Sequence, residues 1–405
     1  MALDFTLPPD ILELRDRVRR FISDEVRPAE EGCETRDDFR RVIIELRGKA
    51  RAEGLWCPHM PEDWGGMGLG QVAMATVSAE CGRSQIGSFV LNCQAPDEGN
   101  MHTLLLFGSE EQKERYLRPL IEGTTRSCFA MTEPEVAGSD PTGIRTAAVR
   151  SGDGWVINGH KWFISGARGA RFAILIARTD PDADPPQARN TAFIVDTDNP
   201  GWKVVRDIET MAGHHNHCEI LIEDCRVPDS AILGERGGGH KLGQARLAGG
   251  RLAHCMRWVG QAEQVLDMMV ERSQTRSLHG GVLGDKQAIQ WMISNSALEL
   301  YQAKLMILHS AYLLEHKLPF RQEISMTKYH VANALWRILD RAIQVHGALG
   351  FSTDTPLEKM MRQARSARLV DGADEVHLSQ MHRFVVQAWK EHGTVGPATG
   401  YGLLG

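Results

Sequence analysis

The 405-residue chain has no excess of positive charge: 46 Lys and Arg stand against 52 Asp and Glu, giving a formal net charge of −6 and a pI near 6.3. It therefore lacks the basic field that non-specific nucleic-acid binding needs, and nucleic acid is a poor candidate partner. No run of about 18 uncharged apolar residues occurs, so no membrane span is expected. The opening Met1-Ala-Leu-Asp-Phe-Thr-Leu-Pro-Pro-Asp10 has an acid and prolines where a secretory signal needs a basic start and an apolar stretch. Cysteine is sparse. Its eight copies (Cys33, Cys57, Cys81, Cys93, Cys128, Cys218, Cys225 and Cys255) form no CxxC pair, which suits reduced thiols in a bacterial cytoplasm or a mitochondrial or peroxisomal matrix. Neither a strand-linked Gly-x-Gly-x-x-Gly nor a Gly-x-x-x-x-Gly-Lys-Ser/Thr is present, so a Rossmann dinucleotide site and a P-loop are both unsupported. The glycines at 65–70 and 237–239 miss both spacings and read as loop residues.

What is present divides into three stretches, enough for two or three cores. Residues 1–127 read as helical. Leu14, Val18, Phe21 and Ile22 share one helix face, Pro61 to Gly70 marks a loop, and Ser109 can cap a helix whose first turn is acidic. Residues 128–240 read as a small β domain, with strands expected at Phe172–Arg178, Thr191–Asp196, Trp202–Asp207 and Cys218–Val227. Within it, Trp155 to Ile164 reads as two runs joined by a hairpin turn at Asn158-Gly159. Residues 241–405 turn helical again, with long segments near 246–274, 285–315, 322–347 and 377–392 that would pack as a four-helix bundle. The class is α+β.

Two segments about two hundred residues apart carry the chemistry. Phe129-Ala-Met-Thr-Glu-Pro-Glu-Val-Ala-Gly-Ser-Asp140 is one; Gln344-Val-His-Gly-Ala-Leu-Gly-Phe351 with Val370-Asp-Gly-Ala-Asp-Glu375 is the other. Together they resemble the flavin-binding and catalytic-base signatures of the acyl-CoA dehydrogenase family, and the order helical, β, helical resembles that family's fold: an N-terminal helical domain, a central β-barrel-like domain and a C-terminal four-helix bundle. The resemblance implies α,β-dehydrogenation of an acyl-CoA thioester. A base removes an α proton and an acceptor takes a β hydride; no side chain accepts hydride, so FAD must supply that half.

By the same resemblance Phe129, Met131, Thr132, Gly138 and Ser139 lie along the flavin, with the Thr132 hydroxyl on its polar edge. Ser139 also meets the substrate. Phe163, Ile164 and Ser165 match a second flavin-contacting run, although many relatives carry Trp and Thr where this chain has Phe163 and Ser165. Arg276 matches an arginine that reaches the FAD pyrophosphate from a neighbouring subunit, a task suited to a planar fork that holds two phosphate oxygens. It is followed by Gln287 and by His279, which replaces the usual Phe. Gln344, His346, Gly347 and Ala348 match the run beside the same pyrophosphate, again across a subunit boundary, and Ala373 and Glu375 close the cofactor set. A shared cofactor implies a homodimer or a homotetramer built as a dimer of dimers.

Asp371 aligns with the family's base, usually Glu in Glu-Gly-Thr, and here Gly372 and Ala373 follow it. Asp-Gly is also a common turn pair. Some relatives instead place the acid on a bundle helix beside a substrate-binding arginine; Arg251 is such an arginine, but Ala248-Gly249-Gly250 precede it. Gly372 and Arg251 are the remaining substrate-side candidates. Gly250-Arg-Leu-Ala-His-Cys-Met-Arg257, Gln94-Ala-Pro-Asp-Glu-Gly-Asn100 and Asp371-Gly-Ala-Asp-Glu-Val-His377 resemble a subgroup that uses an Asp base and is linked to long or 2-methyl-branched acyl-CoA. Some of its animal members carry an additional kinase-like domain, which is not expected here. Electron-transfer flavoprotein is the partner this implies. Two other readings stay open: a flavin oxidase resembling nitroalkane oxidase, and a non-catalytic DNA-binding flavoprotein, against which the acidic pI counts. His214, His215, His217 and Cys218 lack the spaced second pair of a structural zinc site, and no metal is expected.

Overall fold

A computed structural model describes residues 6–33 and 35–399; the side chains of Arg36, His214, His215 and Asn216 lie outside the description. The principal elements, in chain order, are α1 (Pro9–Phe21), α2 (Arg36–Ala52), α3 (Gln71–Gly82), α4 (Asp97–Phe107), β1 (Ser127–Ala130), β2 (Ala147–Ser151), β3 (Gly154–Ser165), β4 (Phe172–Arg178), β5 (Asn190–Asp196), β6 (Trp202–Thr210), β7 (Gly213–Pro228), β8 (Ile232–Leu233), α5 (Gly239–Thr275), β9 (Ser277–Leu278), β10 (Gly281–Val282), α6 (Gln287–Glu315), α7 (Arg321–His346), α8 (Leu357–Ala364) and α9 (Asp374–His392). The chain divides into two units. One holds residues 1–56, 69–91 and 251–405, the other 57–68 and 92–250, so the division falls inside α5. Among the described residues no helix is long and apolar enough to cross a membrane.

The first unit is helical, and its core follows from heptad-like spacing. Leu252, Met256, Val259 and Val265 from α5 meet Leu300, Ala303, Ile307 and Ala311 from α6 and Ile324, Val331, Leu335, Ile338 and Ala342 from α7, with Leu357, Met360 and Ala364 of α8 against them. Steps of three and four residues keep one stripe of each helix turned inward, the geometry of near-parallel helix packing. Lys328 lies on that α7 stripe, one turn after Ile324, and is fully buried.

The second unit is built on one eight-stranded sheet of order β6-β7-β3-β2-β4-β5-β8, with β1 pairing in parallel with β4. Alternate residues face its core: Trp155 and Ile157 on β3, Ala173, Leu175 and Ala177 on β4, Phe193 and Val195 on β5, Cys218, Ile220 and Ile222 on β7. The expected hairpin at Asn158-Gly159 is not there. β3 runs unbroken from Gly154 to Ser165, and the turn is Ser151 to Gly154, where Gly152 takes φ 62°. Asn158-Gly159 instead sits at a register shift between β3 and β7, where Asn158 Oδ1 accepts the Asp224 N–H at 2.8 Å. Glycine is needed at 159 for a different reason from a turn's: a Cβ there would lie 2.2 Å from Thr146 Oγ1. The dipeptide marks close backbone approach, an alternative meaning of strand glycine. Ser109 does cap its helix, in a capping box with Gln112. All eight cysteines are free thiols, seven of them buried.

Candidate active site

In the second unit, a bulge brings together the two segments expected to meet flavin. Between the pairs Lys161↔Ile220 and Ile164↔Cys218, β3 holds one residue more than β7, and the surplus is absorbed at Trp162-Phe163, with Phe163 at φ 52°. Bulges re-aim side chains at sheet edges and beside functional sites. Here the result is a Phe163 ring 45% exposed, packed edge-on to Trp162 at 5.1 Å between centroids. Ile164 turns into the core, and Ser165 Oγ lies 2.8 Å from His217 Nδ1.

Three bonds fasten the segment that follows β1 to this bulge. The Trp162 N–H donates to Thr132 O at 3.1 Å, the Thr132 hydroxyl donates to Trp162 O at 2.7 Å, and Lys161 Nζ donates to Met131 O at 2.9 Å. Because the Thr132 proton is committed to Trp162, its oxygen faces any ligand as an acceptor. Lys161 is fully buried and pairs with buried Glu133 at 2.8 Å. Glu133 also accepts the N–H groups of Arg145 (2.7 Å) and Thr146 (2.9 Å). Burial brings the Lys161 ammonium down to about 8, against the opposing pull of Glu133. Burial also pushes the Glu133 carboxyl up, but the Lys161 charge and the converging donors outweigh it and leave it below its usual range. Gly138 and Ser139 follow in an exposed loop. Phe129, on β1, stacks under the Arg246 guanidinium at 4.1 Å from the ring centroid.

In the first unit, Asp371 sits on the turn before α9 with φ 53°, and Gly372 follows at φ 108°. Two buried or half-buried cations hold the turn by its carbonyls. Arg251 Nε donates to Asp371 O at 2.7 Å, and Lys328 Nζ donates to Gly372 O at 2.7 Å. A left-handed L-residue costs roughly 1–2 kcal/mol, and each charge-assisted hydrogen bond returns about 1.5–3 kcal/mol, so the clamp more than offsets the backbone cost. Gly372 has no latitude: a Cβ would approach His377 Nε2 at 3.0 Å at a φ that L-residues avoid. The Asp371 N–H donates to no group among the described residues, and its carboxylate is 19% exposed. His254 Nε2 stands 3.6 Å from Asp371 Oδ2, and its ring stacks on Trp258 at 5.3 Å. Ala373 precedes α9 as its N-cap, Glu375 is exposed, and buried Asp374 accepts from Arg368 (2.7 Å) and Asn333 (3.1 Å).

The remaining candidates are also in the first unit. Arg276 follows α5 in solvent, and the β9–β10 hairpin comes next with its tip at His279 (φ 47°) and Gly280 (φ 79°). Gln287 opens α6 and is exposed. Gln344 is exposed near the end of α7; His346 is buried, its Nδ1 2.8 Å from Ala342 O; Gly347 (φ 65°) breaks the helix, and Ala348 is exposed. His217 and Cys218 lie on β7, while the side chains of His214 and His215 fall outside the described residues; among the described residues no cluster suits a metal ion. Among the described residues seven non-glycine residues have positive φ, and three of them are site candidates: Phe163, His279 and Asp371. Such conformations concentrate where function demands them.

Lys328 lies in none of the motifs, and His254 and His377 lie within two of them without an assigned role. His377 is buried, and desolvation, with the charges of Lys328 and Arg251, lowers it from 6.5 to about 4. It is therefore neutral in the folded state at pH values where the unfolded chain takes up a proton. Its contribution to stability is complete above pH 6.5 and is lost as pH falls toward 4, by up to ~3 kcal/mol. Denaturation midpoints measured from pH 7 to 4.5 should fall less steeply in His377→Gln than in the parent; parallel curves would contradict the assignment.

The comparisons with known proteins agree on one family. The models described as acyl-CoA dehydrogenase N-terminal, middle and C-terminal domains match residues 8–124, 128–225 and 237–386. "Probable acyl-CoA dehydrogenase FadE2" of Mycobacterium tuberculosis is 39% identical over 399 residues, covering 94% of this chain and 96% of that protein. Acyl-CoA dehydrogenase family member 11 of Mus musculus is 36% identical, covering 93% of this chain but 50% of that protein, so the chain spans about half the length of this animal relative. Among solved structures, "a putative acyl-CoA dehydrogenase from Mycobacterium abscessus" superposes with TM-score 0.89 at 35% identity, covering 95% of this chain and 100% of the other. A glutaryl-coenzyme A dehydrogenase bound to glutaryl-CoA gives TM-score 0.83 at 27% identity, with 96% of both chains covered. With all three domain models matched in order and near-complete coverage of a 39% identical relative, this chain belongs to the acyl-CoA dehydrogenase family.

Proposed function

We propose that this chain oxidises an acyl-CoA thioester to the trans-2-enoyl-CoA with FAD as cofactor, Asp371 as the base and an electron-transfer flavoprotein as downstream acceptor. The observation that carries this reading is the clamped turn: a half-buried carboxylate on a left-handed residue, its carbonyl tied back by Arg251 and its own N–H uncommitted among the described residues.

The residues present fit the cofactor. An exposed aromatic ring held on a bulge, beside a backbone edge fixed by Thr132 and Lys161, offers a flat platform with polar groups along one side. Phe129, Met131, Thr132, Gly138, Ser139, Phe163, Ile164 and Ser165 would hold the ring system. Arg276, Gln287, Gln344, His346, Gly347 and Ala348 would serve the pyrophosphate end. When bound, FAD supplies the hydride acceptor that no side chain can be.

Asp371 takes the α proton, and the Asp371 N–H is placed to donate to the thioester oxygen as negative charge grows there. One such donor contributes about 10²–10³-fold to rate. An acyl chain laid over the carboxylate excludes water from the place where the α proton moves. Arg251 acts on the turn through the Asp371 carbonyl, so its part is to position the base at least as much as to touch substrate.

A homodimer or homotetramer is part of the same reading. On α6, Trp291, Leu298, Leu305 and Tyr312 recur every seven residues on an exposed face, with Tyr301 between them. That is the seam of a helix that packs against another helix, and 60% exposure of a Trp in the single chain favours a covered state.

Anaerobic titration of the flavin-loaded protein with acyl-CoA thioesters tests the reading. The flavin absorbance should bleach without oxygen, and reoxidation by oxygen should be slow while product is bound, because a covered ring excludes the gas. Full-rate peroxide release with no added acceptor would identify an oxidase instead.

A further inference from the structure

After each turnover the base is left protonated and must return its proton to water. We infer that His254 carries that proton, an inference that rests on Asp371 being the base. Three helices of the first unit place side chains around the Asp371-Gly372 turn. From α5 come Arg251, bound to Asp371 O, and His254; from α7 comes Lys328, bound to Gly372 O; from α9 comes His377, against Gly372. Arg321, at the start of α7, adds a further positive charge near Arg251.

Three of these groups are poor acceptors. Arg251 is a cation and has no lone pair to offer, and Lys328 is bound as a donor to a carbonyl. His377 is buried with its proton affinity reduced, so a proton placed there would be held weakly and away from water. His254 differs in position. Its Nε2 is 3.6 Å from Oδ2 of the base, and its side chain is 25% exposed, so one ring reaches both the carboxyl group and solvent. Stacking on Trp258, one helical turn further along α5, fixes the ring plane. A small rotation shortens the gap to hydrogen-bond reach of about 2.6–3.2 Å, a tightening common when a resting site fills.

The step balances without any redox partner. The Oδ2–H bond of the neutral Asp371 acid breaks, a bond forms between that proton and Nε2 of the Nδ1–H tautomer, and the carboxylate is restored; the imidazolium then gives up a proton to water. Stacked aromatic support and partial exposure are what a relay needs.

The test separates taking the proton from releasing it. Flavin-loaded protein is incubated in D2O with an acyl-CoA carrying sulfur in place of the β-methylene, which can lose and regain its α hydrogens but cannot give up a β hydride. Exchange at Cα is followed by NMR. In a parallel single-turnover experiment, bleaching by an ordinary acyl-CoA reports removal of the first proton. His254→Gln should slow exchange by about 10²-fold while bleaching proceeds at the parental rate. His254→Asn, shorter but also unable to relay, should behave the same way and guards against a folding defect in one variant. Exchange at the parental rate in both variants overturns the relay, and so does equal loss of exchange and bleaching. Asp371→Asn should abolish both signals; if it continues to exchange, the base assignment fails, independently of His254.

Discussion

Replacing Asp371 by asparagine is expected to lower the rate of flavin reduction by acyl-CoA about 10²–10⁴-fold, the usual contribution of a positioned base. The substitution isolates the proton-accepting oxygen better than most. Asparagine adopts left-handed backbone readily, so φ 53° is kept. The bonds from Arg251 and Lys328 go to main-chain carbonyls and survive the change, as does the Asp371 N–H. FAD binding and fold should therefore stay as they are. Rapid-mixing measurement of flavin bleaching under argon decides the matter; a parental rate would place the base elsewhere.

Lys161→Met should have the largest effect on stability. The ammonium is fully buried, bridges Met131 O and Glu133, and has no route to water. Removing one partner of a buried pair costs about 3–5 kcal/mol, and two backbone N–H donors remaining on Glu133 place the expected loss toward the lower end. The same change frees Met131 O, so affinity for FAD should weaken together with the denaturation midpoint. The double variant Lys161→Met with Glu133→Gln should recover part of the loss, because it leaves no unpaired charge. Acid should mimic the single variant. With the Glu133 carboxyl held below its ordinary range, the pair contributes fully at neutral pH and is lost as pH falls through that lowered value. A Lys161→Met protein with the parental midpoint would show that the pair contributes little.

Much of the architecture was legible because long amphipathic helices and alternating strands declare themselves. The Phe172–Arg178 strand and the four long helices near 246–392 are read from periodicity to within a few residues, save that α5 begins seven residues earlier than expected. Asn158-Gly159 misled because the same dipeptide that favours a tight turn also answers a steric demand from Thr146, and only the neighbouring strand tells which applies. Asp371 was singled out through its motif as the candidate base. Of the residues that hold its turn, Arg251 was singled out only for the substrate side and Lys328 not at all, because the three are far apart in sequence and meet only through helix packing. A local signal did exist. Lys328 falls on the stripe Ile324, Val331 and Leu335, and Lys161 falls at an inward position after Trp155 and Ile157. A lysine on a buried face must be paired, and either could have been singled out on that ground.

The left-handed Phe163 and Asp371 bear on how this chain could be altered or drift over generations. Glycine at either position would relieve about 1–2 kcal/mol of backbone cost, enough to raise a melting temperature noticeably. Each replacement would also delete a side chain proposed to act in the site, the Phe163 ring beside the cofactor or the Asp371 carboxylate that takes the α proton. Selection for heat resistance alone would therefore enrich glycine at 163 and 371 and return well-folded, inactive protein. Libraries aimed at thermostability should hold these two codons fixed and look for gains elsewhere.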